Sequence, residues 1–359
     1  MYGYSNLKQD LRESEYPSVI ESLIEIINNY AMIDDPSTNP GIVTLRQQPT
    51  SNLYHQAVKQ LVTLDQIYPI LTTLHAQYKG YKNARGLIGA LSSISWKNTS
   101  DKTFELISYR KQKKWGTKRD ISSESVMILD KTFPTTFDNY DYINRHNRLV
   151  PNSPCPVLFG IRGDSPQDLI KSLSIIVSED IDSWLLFETN QATDDHLQEK
   201  QISEIHPFES IIIKGAVKQN PVTIPGGHVI FTIEDSTGEI DCAVYEPTKE
   251  LRNVVRNLYQ GDELKVYGGI RDHPLTINIE KLQIMNLVKV MEKRENPICP
   301  ICKKHMKSKG TNQGFKCKRC GKHTESALLK EKKRFLTIGF FEAPVCARRH
   351  LSKPLKRMK

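Results

Sequence analysis

Four cysteines carry the clearest chemistry in the chain. Cys299-Pro-Ile-Cys302 and Cys317-Lys-Arg-Cys320 are two CxxC turns separated by 14 residues. Zinc takes four thiolates in a tetrahedron, and two such turns on neighbouring hairpins deliver two sulfurs each. Four sulfurs close the coordination sphere, so the predicted zinc is structural, and the nearby His305 and His323 read as surface residues. Cys155, Cys242 and Cys346 have no paired spacing and read as packing residues.

Positive charge gathers around the same turns. The 359 residues carry a net +9, but residues 289–359 hold 21 Lys or Arg against 5 Asp or Glu, which leaves −7 in residues 1–288. A basic end on a mildly acidic body suits a polyanionic partner, although a solvated Lys-rich tail would look the same. Lys316, Lys318 and Arg319 beside the second turn, with Arg348 and Arg349 further on, are the candidate nucleic-acid contacts.

The elements that must position these groups follow a readable order. From residue 209 come short alternating strands: Ile211–Ile213, Val229/Phe231/Ile233, Ile240/Cys242/Val244, Leu264/Val266 and Ile277/Ile279. Asp235-Ser-Thr-Gly238 is a hairpin turn. Leu251, Val254, Val255 and Leu258 form one helical face that Gly261 ends. Three strands, a helix and two strands is the order of an OB-fold β-barrel. Such barrels bind single-stranded nucleic acid on the face of strands 2 and 3, which makes Phe231, Tyr245, Lys249 and Arg252 candidate contacts. The period of Phe231 equally suits the barrel core.

The first 206 residues mix helices and strands. Val19, Ile20, Leu23, Ile24, Ile27 and Tyr30 form one face of a helix over 17–30, and two more helical patterns follow at 51–64 and 66–77. The small, apolar Arg85–Leu91 segment permits close packing. Thr103–Arg110 alternates like a strand, Pro156–Ile161 is a short apolar strand, and Ser165-Pro-Gln-Asp168 opens a helix. Trp184–Glu188 reads as a buried strand that empties into the polar loop Thr189–His196. With 38% apolar and 25% charged residues the composition is that of an ordinary globular protein. No run approaches 18 apolar residues and Met1–Glu15 has no apolar signal core, so neither a membrane span nor a secretory signal is read here. Seven cysteines without a signal argue for reduced thiols and a cytoplasmic setting.

Several segments then carry a resemblance. Asp34-Asp35-Pro-Ser-Thr-Asn39-Pro40-Gly41, Arg85-Gly-Leu-Ile-Gly-Ala-Leu91, Thr103–Arg110, Thr136-Phe137-Asp138-Asn139 and Pro151–Pro156 recur in this order in one family. So do Gly160-Ile-Arg162-Gly163, Thr189–Asp194, Pro225-Gly-Gly-His228 and Ala347-Arg-Arg-His-Leu-Ser-Lys353-Pro. The chain resembles TiaS, the archaeal 2-agmatinylcytidine synthetases of isoleucine tRNA, over essentially its whole length.

The resemblance implies a multidomain α+β protein. Residues 1–40 would be the remnant of a kinase-like α/β domain, 41–150 a ferredoxin-like agmatine-binding domain and 151–206 the rest of the kinase-like domain. An OB-fold at 207–290, a zinc ribbon at 291–325 and a basic tail at 326–359 complete it. It implies an ATP-dependent ligase that attaches agmatine to the wobble cytidine of the CAU-anticodon isoleucine tRNA through a phosphorylated cytidine, with ATP and magnesium besides the structural zinc. Agmatine's guanidinium needs carboxylate or aromatic partners; Asp34, Asp35, Asn39, Phe137, Asp138 and Asp141 are the candidates, with loop capping as their plain alternative. Phosphoryl transfer needs hydroxyls and carboxylates around magnesium, and Asn190, Thr193, Asp194 and His196 supply them. The family's acidic Asp-Asp-Thr-Asp segment has no counterpart between Met1 and Pro17. These 359 residues are therefore expected to bind tRNA yet form little product unless that segment is supplied. The rival expectation is a non-catalytic single-strand-binding protein built on the same barrel and ribbon, or a tRNA-binding subunit that has lost its enzyme.

Overall fold

The computed structural model describes residues 13–49, 52–97, 101–310, 313–325 and 327–358. The segment before Glu13 and the first residue of the helical pattern at 51–64 lie outside them. Among the described residues no helix is long and apolar enough to cross a membrane.

The N-terminal unit begins with helix Tyr16–Tyr30, whose Pro17 sits in the first turn where a missing N–H costs nothing. Its predicted apolar face is only half covered, and Leu23 and Tyr30 remain exposed. Helices Leu53–Lys59, Leu64–Thr73 and Gly86–Ile94 pack with the antiparallel pair Gly41–Thr44 and Gln77–Gly80 around Leu53, Ile67, Leu71, Leu87 and Leu91. The close packing expected of 85–91 occurs at two glycines. A Cβ on Gly86 would lie 2.2 Å from the Asn39 carbonyl oxygen, and one on Gly41 would lie 2.3 Å from the Gly86 carbonyl carbon.

A second unit is built on a four-stranded antiparallel sheet in the order Thr136–Phe137, Val157–Gly163, Thr103–Arg110, Ile181–Thr189. Helices Ser123–Thr132 and Pro166–Ser172 complete a βαββαβ path, the ferredoxin-like arrangement. Both helix starts are written locally: the Ser122 and Ser165 hydroxyls accept from the backbone N–H of Ser125 and Asp168. The core holds Leu106, Val126, Leu129, Leu158, Phe159, Ile161 and Leu169.

Two sequence expectations need correction here. The expected boundary at 150 cuts this sheet, because Val157–Gly163 and Ile181–Thr189 both pair with Thr103–Arg110. Residues 41–94, for their part, belong to the separate core described above. The strand Ile181–Thr189 is also not buried: it is an edge with one neighbour, and Trp184 and Leu185 are 41% and 53% exposed.

The barrel follows its predicted order. Strands Ser210–Thr223, Val229–Glu234, Glu239–Val244, Glu263–Arg271 and Thr276–Asn286 close on themselves, and a parallel pairing of Glu239–Val244 with Thr276–Asn286 seals the gap. Helix Glu250–Arg256 stands between the third and fourth strands. Inward positions such as Ile213, Phe231, Ile233, Val244, Val266 and Ile279 supply the core. A ribbon of three short strands at 307–308, 315–316 and 323–324 follows.

The chain then returns. Gly339–Glu342 adds to the edge of the barrel strand Thr276–Asn286. Residues 343–358 run across the junction between barrel and ferredoxin-like unit, bonded to Asp138, Asp164 and Ala192 on one side and to Glu280 and Lys281 on the other. This stretch of the predicted basic tail is a built part of the fold.

Candidate functional site

The ribbon brings the four cysteines together. Their ligand atoms lie within 4.8 Å of one another, and the Cys299 and Cys320 sulfurs are 3.5 Å apart. Zinc–sulfur bonds of about 2.3 Å in a tetrahedron require sulfurs a little under 4 Å apart, so the four residues fit the metal. Each CxxC turn is closed the same way: Cys299 N–H donates to Lys304 O and Lys303 N–H to Cys299 O, while Cys317 N–H donates to Lys322 O and Gly321 N–H to Cys317 O. Lys303 and Gly321 both take positive φ to make this turn. Backbone N–H groups of Cys320 and Arg319 bring the Cys317 thiol down to about 6, toward the thiolate zinc requires. Among the described residues, only Met306, Phe315 and Ala327 pack beneath the cysteines.

The loop predicted to handle phosphoryl transfer is engaged otherwise. Ala192 N–H donates to His350 O at 2.7 Å and Asp194 N–H to Leu351 O at 2.9 Å, which seats the returning tail. Asp194 takes the Lys281 ammonium at 2.6 Å on one oxygen and the Lys353 N–H at 2.7 Å on the other. Lys281 is wholly buried. Asn190 donates to the Tyr54 hydroxyl, Thr193 to the Asn190 carbonyl, and His196 Nε2 lies 3.1 Å from Glu280. These four residues join three units: Asn190, Thr193 and Asp194 are engaged with protein partners, while His196 Nδ1 is buried with no hydrogen-bond partner among the described residues. A turn rich in side-chain oxygens suits docking as well as catalysis.

The substrate candidates separate in the same way. Asp141 is buried and caps its own loop, accepting from the backbone of Ile143 and Asn144. Asp35 caps Ser37, whose hydrogen bonds hold the carboxyl below its usual range; Asp34 lies beside it at the surface. Among the described residues Asn39 donates only to Pro36 O, at 3.5 Å. That loop belongs to the N-terminal unit, away from Phe137 and Asp138. Of the barrel candidates, Phe231 is 2% exposed and part of the core, so it offers no face to RNA. Arg252 is buried against Gly227 O and Glu246, and Lys249 is bonded to Asn144. Tyr245 is half-buried, with its ring 5.1 Å from His228. Arg348 is paired with Asp138 and Glu342, and Arg349 with Glu280. Lys316, Lys318 and Arg319 stay exposed on the ribbon.

What the structure brings together is a pair of adjoining clefts. One, of about 340 Å³, is lined by Asp130, Phe137, Asp138, Tyr140, Tyr142 and Glu342 among others. Its three carboxylates and three rings face Lys131, Arg348 and Lys356, so the lining is charge-balanced and takes a guanidinium by exchange for one of these cations. Tyr140 and Tyr142 meet edge to face at 5.0 Å, and partial burial followed by the neighbouring Asp130 charge pushes the Tyr142 hydroxyl up to about 12. It stays protonated and donates to Asp130 at 3.1 Å. Burial likewise pushes the Glu342 carboxyl up, with Arg348 opposing it. The other cleft, of about 440 Å³, lies on the sheet and is lined by Glu105, Arg148, Arg162, Arg348, Arg349 and His350 among others. Asp138 and Arg348 line both.

Glu105 and Arg162 were missed as site residues, although both lie in segments that carried the resemblance. The signal was available: a glutamate at mid-strand in an otherwise apolar alternation has to be paired. Glu105 is 3% exposed, with Arg162 Nε at 3.1 Å and Gln191 Nε2 at 2.6 Å.

Comparison with known proteins agrees with this layout. Family profiles match the TiaS TCKD domain on residues 1–83, the TiaS FLD domain on 84–196, an OB-fold nucleic acid binding domain on 211–285 and the TiaS C-terminal zinc ribbon domain on 296–336. The isoleucine-tRNA 2-agmatinylcytidine synthetase TiaS of Methanocaldococcus jannaschii is 41% identical over 361 residues, covering 98% of this chain and 84% of the relative. That of Archaeoglobus fulgidus is 40% identical, covering 95% and 81%. A crystal structure of TiaS in complex with its isoleucine tRNA and ATP superposes with a TM-score of 0.86 at 38% identity, covering 98% of this chain and 83% of that one. A complex of TiaS with the same tRNA, AMPCPP and agmatine gives 0.82 at 38% identity, with coverage of 96% and 82%.

Proposed function

The chain belongs to TiaS, the family of isoleucine-tRNA 2-agmatinylcytidine synthetases, and on that premise we propose that it joins agmatine to the wobble cytidine of the CAU-anticodon isoleucine tRNA at the expense of ATP. The 2-carbonyl oxygen of cytosine is a poor leaving group. Phosphorylation turns it into a good one, the agmatine amine attacks carbon 2, and phosphate departs. The new substituent changes the pairing edge so that adenine is read in place of guanine. The cytidine has to leave the anticodon stack to be reached.

The observation that carries this reading is the acid-and-aromatic cleft around Asp138, set in the ferredoxin-like unit beside a barrel and a zinc ribbon. Asp138 and Glu342 would hold the guanidinium against Tyr140 and Tyr142, in exchange for the Arg348 guanidinium that pairs with both carboxylates in this structure. Exposed Lys316, Lys318 and Arg319 on the ribbon and Tyr245 on the barrel would hold the RNA. ATP with magnesium would be the co-substrate, with Asn190, Thr193, Asp194 and His196 as the candidate phosphoryl-transfer residues. With reduced cysteines and a tRNA partner, the setting is the cytoplasm.

The test is mass spectrometry of tRNA digested after incubation with the protein, expressed from its whole reading frame, ATP and agmatine. An agmatine-bearing cytidine that needs all three components is the expected product. Tight tRNA binding with no such nucleoside would refute the ligase reading in favour of a plain single-strand binder. Asp138→Asn should raise the KM for agmatine at least tenfold with little change in tRNA affinity, because one charge-assisted contact is worth about 1.5–3 kcal/mol.

A further inference from the structure

We propose that the arginine-lined cleft on the ferredoxin-like sheet is a phosphate site, and that the phosphate it takes is a backbone phosphate of the RNA beside the target cytidine. The inference rests on the reading that this chain acts on tRNA. It assigns to the larger cleft a ligand that the agmatine subsite next door does not explain.

Four arginines and two carboxylates line this cleft. The carboxylates are already taken, Glu105 by Arg162 and Gln191, and Asp138 by Arg348. In this structure the two outer nitrogens of Arg348 are held by Asp138, Glu342 and the Ala343 carbonyl, and Arg349 pairs with Glu280. Arg162 commits only Nε, so among the described residues its two outer nitrogens have no hydrogen-bond partner. Arg148 has neither a hydrogen bond nor an ion pair from its guanidinium among the described residues, although it is only half-exposed. Two unspent planar forks on one concave wall, in a lining of net +2 (four arginines less two carboxylates), match a tetrahedral oxyanion and repel a free cation.

Two further features shape the cleft for such a group. Gly160 keeps the floor low, since a Cβ there would lie 3.1 Å from the Glu105 carboxylate. His350 sits among these arginines, where burial and then the Arg162 charge hold its imidazole below the usual range. The wall shared through Asp138 and Arg348 puts the phosphate next to the proposed agmatine cleft, which is where the reacting nucleotide would be held.

The same chemistry would accept the inorganic phosphate that the reaction releases, so the experiment separates the two sources. Arg148→Gln removes a side chain with no structural partner, which spares the fold. Binding of a synthetic CAU anticodon stem-loop is measured by fluorescence anisotropy for the full chain and for Arg148→Gln. A neutral methylphosphonate is placed singly through the loop, and inorganic phosphate serves as competitor. The expected result is a loss of about tenfold for Arg148→Gln, matched by one methylphosphonate position at which the variant loses nothing more. Coupling at no position, with phosphate competition abolished by Arg148→Gln, would assign the site to free phosphate and overturn the RNA assignment. Equal RNA binding and equal phosphate competition in both proteins would overturn the site altogether. Failure of the unaltered chain to bind the stem-loop would instead overturn the proposed function.

Discussion

Replacing Lys281 by Met should undock the C-terminal strap. The Lys281 ammonium is wholly buried, 2.6 Å from Asp194 Oδ2 and 2.8 Å from Lys353 O, with the Tyr267 ring centroid at 5.3 Å. Met keeps the stem's volume but leaves the Asp194 carboxylate without its counter-charge. Removing one member of a buried ion pair costs about 3–5 kcal/mol. Asp194 keeps the Lys353 N–H and its side chain is 18% exposed, so the low end applies, about 3 kcal/mol. That is roughly a hundredfold shift in the docking equilibrium. The reporters are the amides of Ala192 and Asp194, which donate to His350 O and Leu351 O across the junction. Their hydrogen exchange should quicken by roughly that factor while the barrel amides stay protected. Asp194→Asn keeps an acceptor for Lys353, and the double variant should cost far less than the sum of the singles. Exchange unchanged within about threefold, or additive single effects, would show that the buried pair does not hold the strap.

Chelation should unfold the ribbon and leave the barrel intact, because Met306, Phe315 and Ala327 make too small a core without metal; a circular-dichroism melt of the barrel that moved with the chelator would contradict this. Changing Lys316, Lys318 and Arg319 to Gln should weaken tRNA binding and flatten its salt dependence by about 2–3 in slope, and an unchanged slope would mean that these side chains are merely solvated. Burial pushes the Asp101 carboxyl up, but hydrogen bonds from Arg357 and Lys353 outweigh it and hold the carboxyl below its usual range. A carboxyl depressed in the folded state contributes stability that is complete above its unfolded value of about 3.9 and fades as pH falls through the folded one. The stability gap between the parent and Asp101→Asn should therefore be constant from neutral pH down to about 5 and close below about 4. A gap that instead widened in acid would reverse the assignment.

The sequence was most readable where local rules decide structure. Alternation at Val229/Phe231/Ile233 and Ile240/Cys242/Val244 and the paired CxxC turns each constrain a few consecutive residues, and the barrel and ribbon follow from them, although the helix ends at Arg256 and not at the expected Gly261. The ferredoxin-like unit was less readable because its order depends on pairings between distant strands. Nothing near Pro151 says that Val157–Gly163 will return to lie beside Thr103–Arg110. The site was least readable. An aspartate in a polar loop looks alike whether it waits for a substrate or has been claimed by a lysine 87 residues away, as Asp194 has by Lys281. The basic end misled for the same reason. Arg348, Lys353 and Arg357 count as polyanion grip in a charge sum, yet the fold spends them on Asp138, Asp101 and Asp164. Charge becomes available for function only after internal pairing is subtracted. That subtraction leaves Arg148, the outer nitrogens of Arg162 and the exposed lysines of the ribbon as cationic groups that the described residues do not pair.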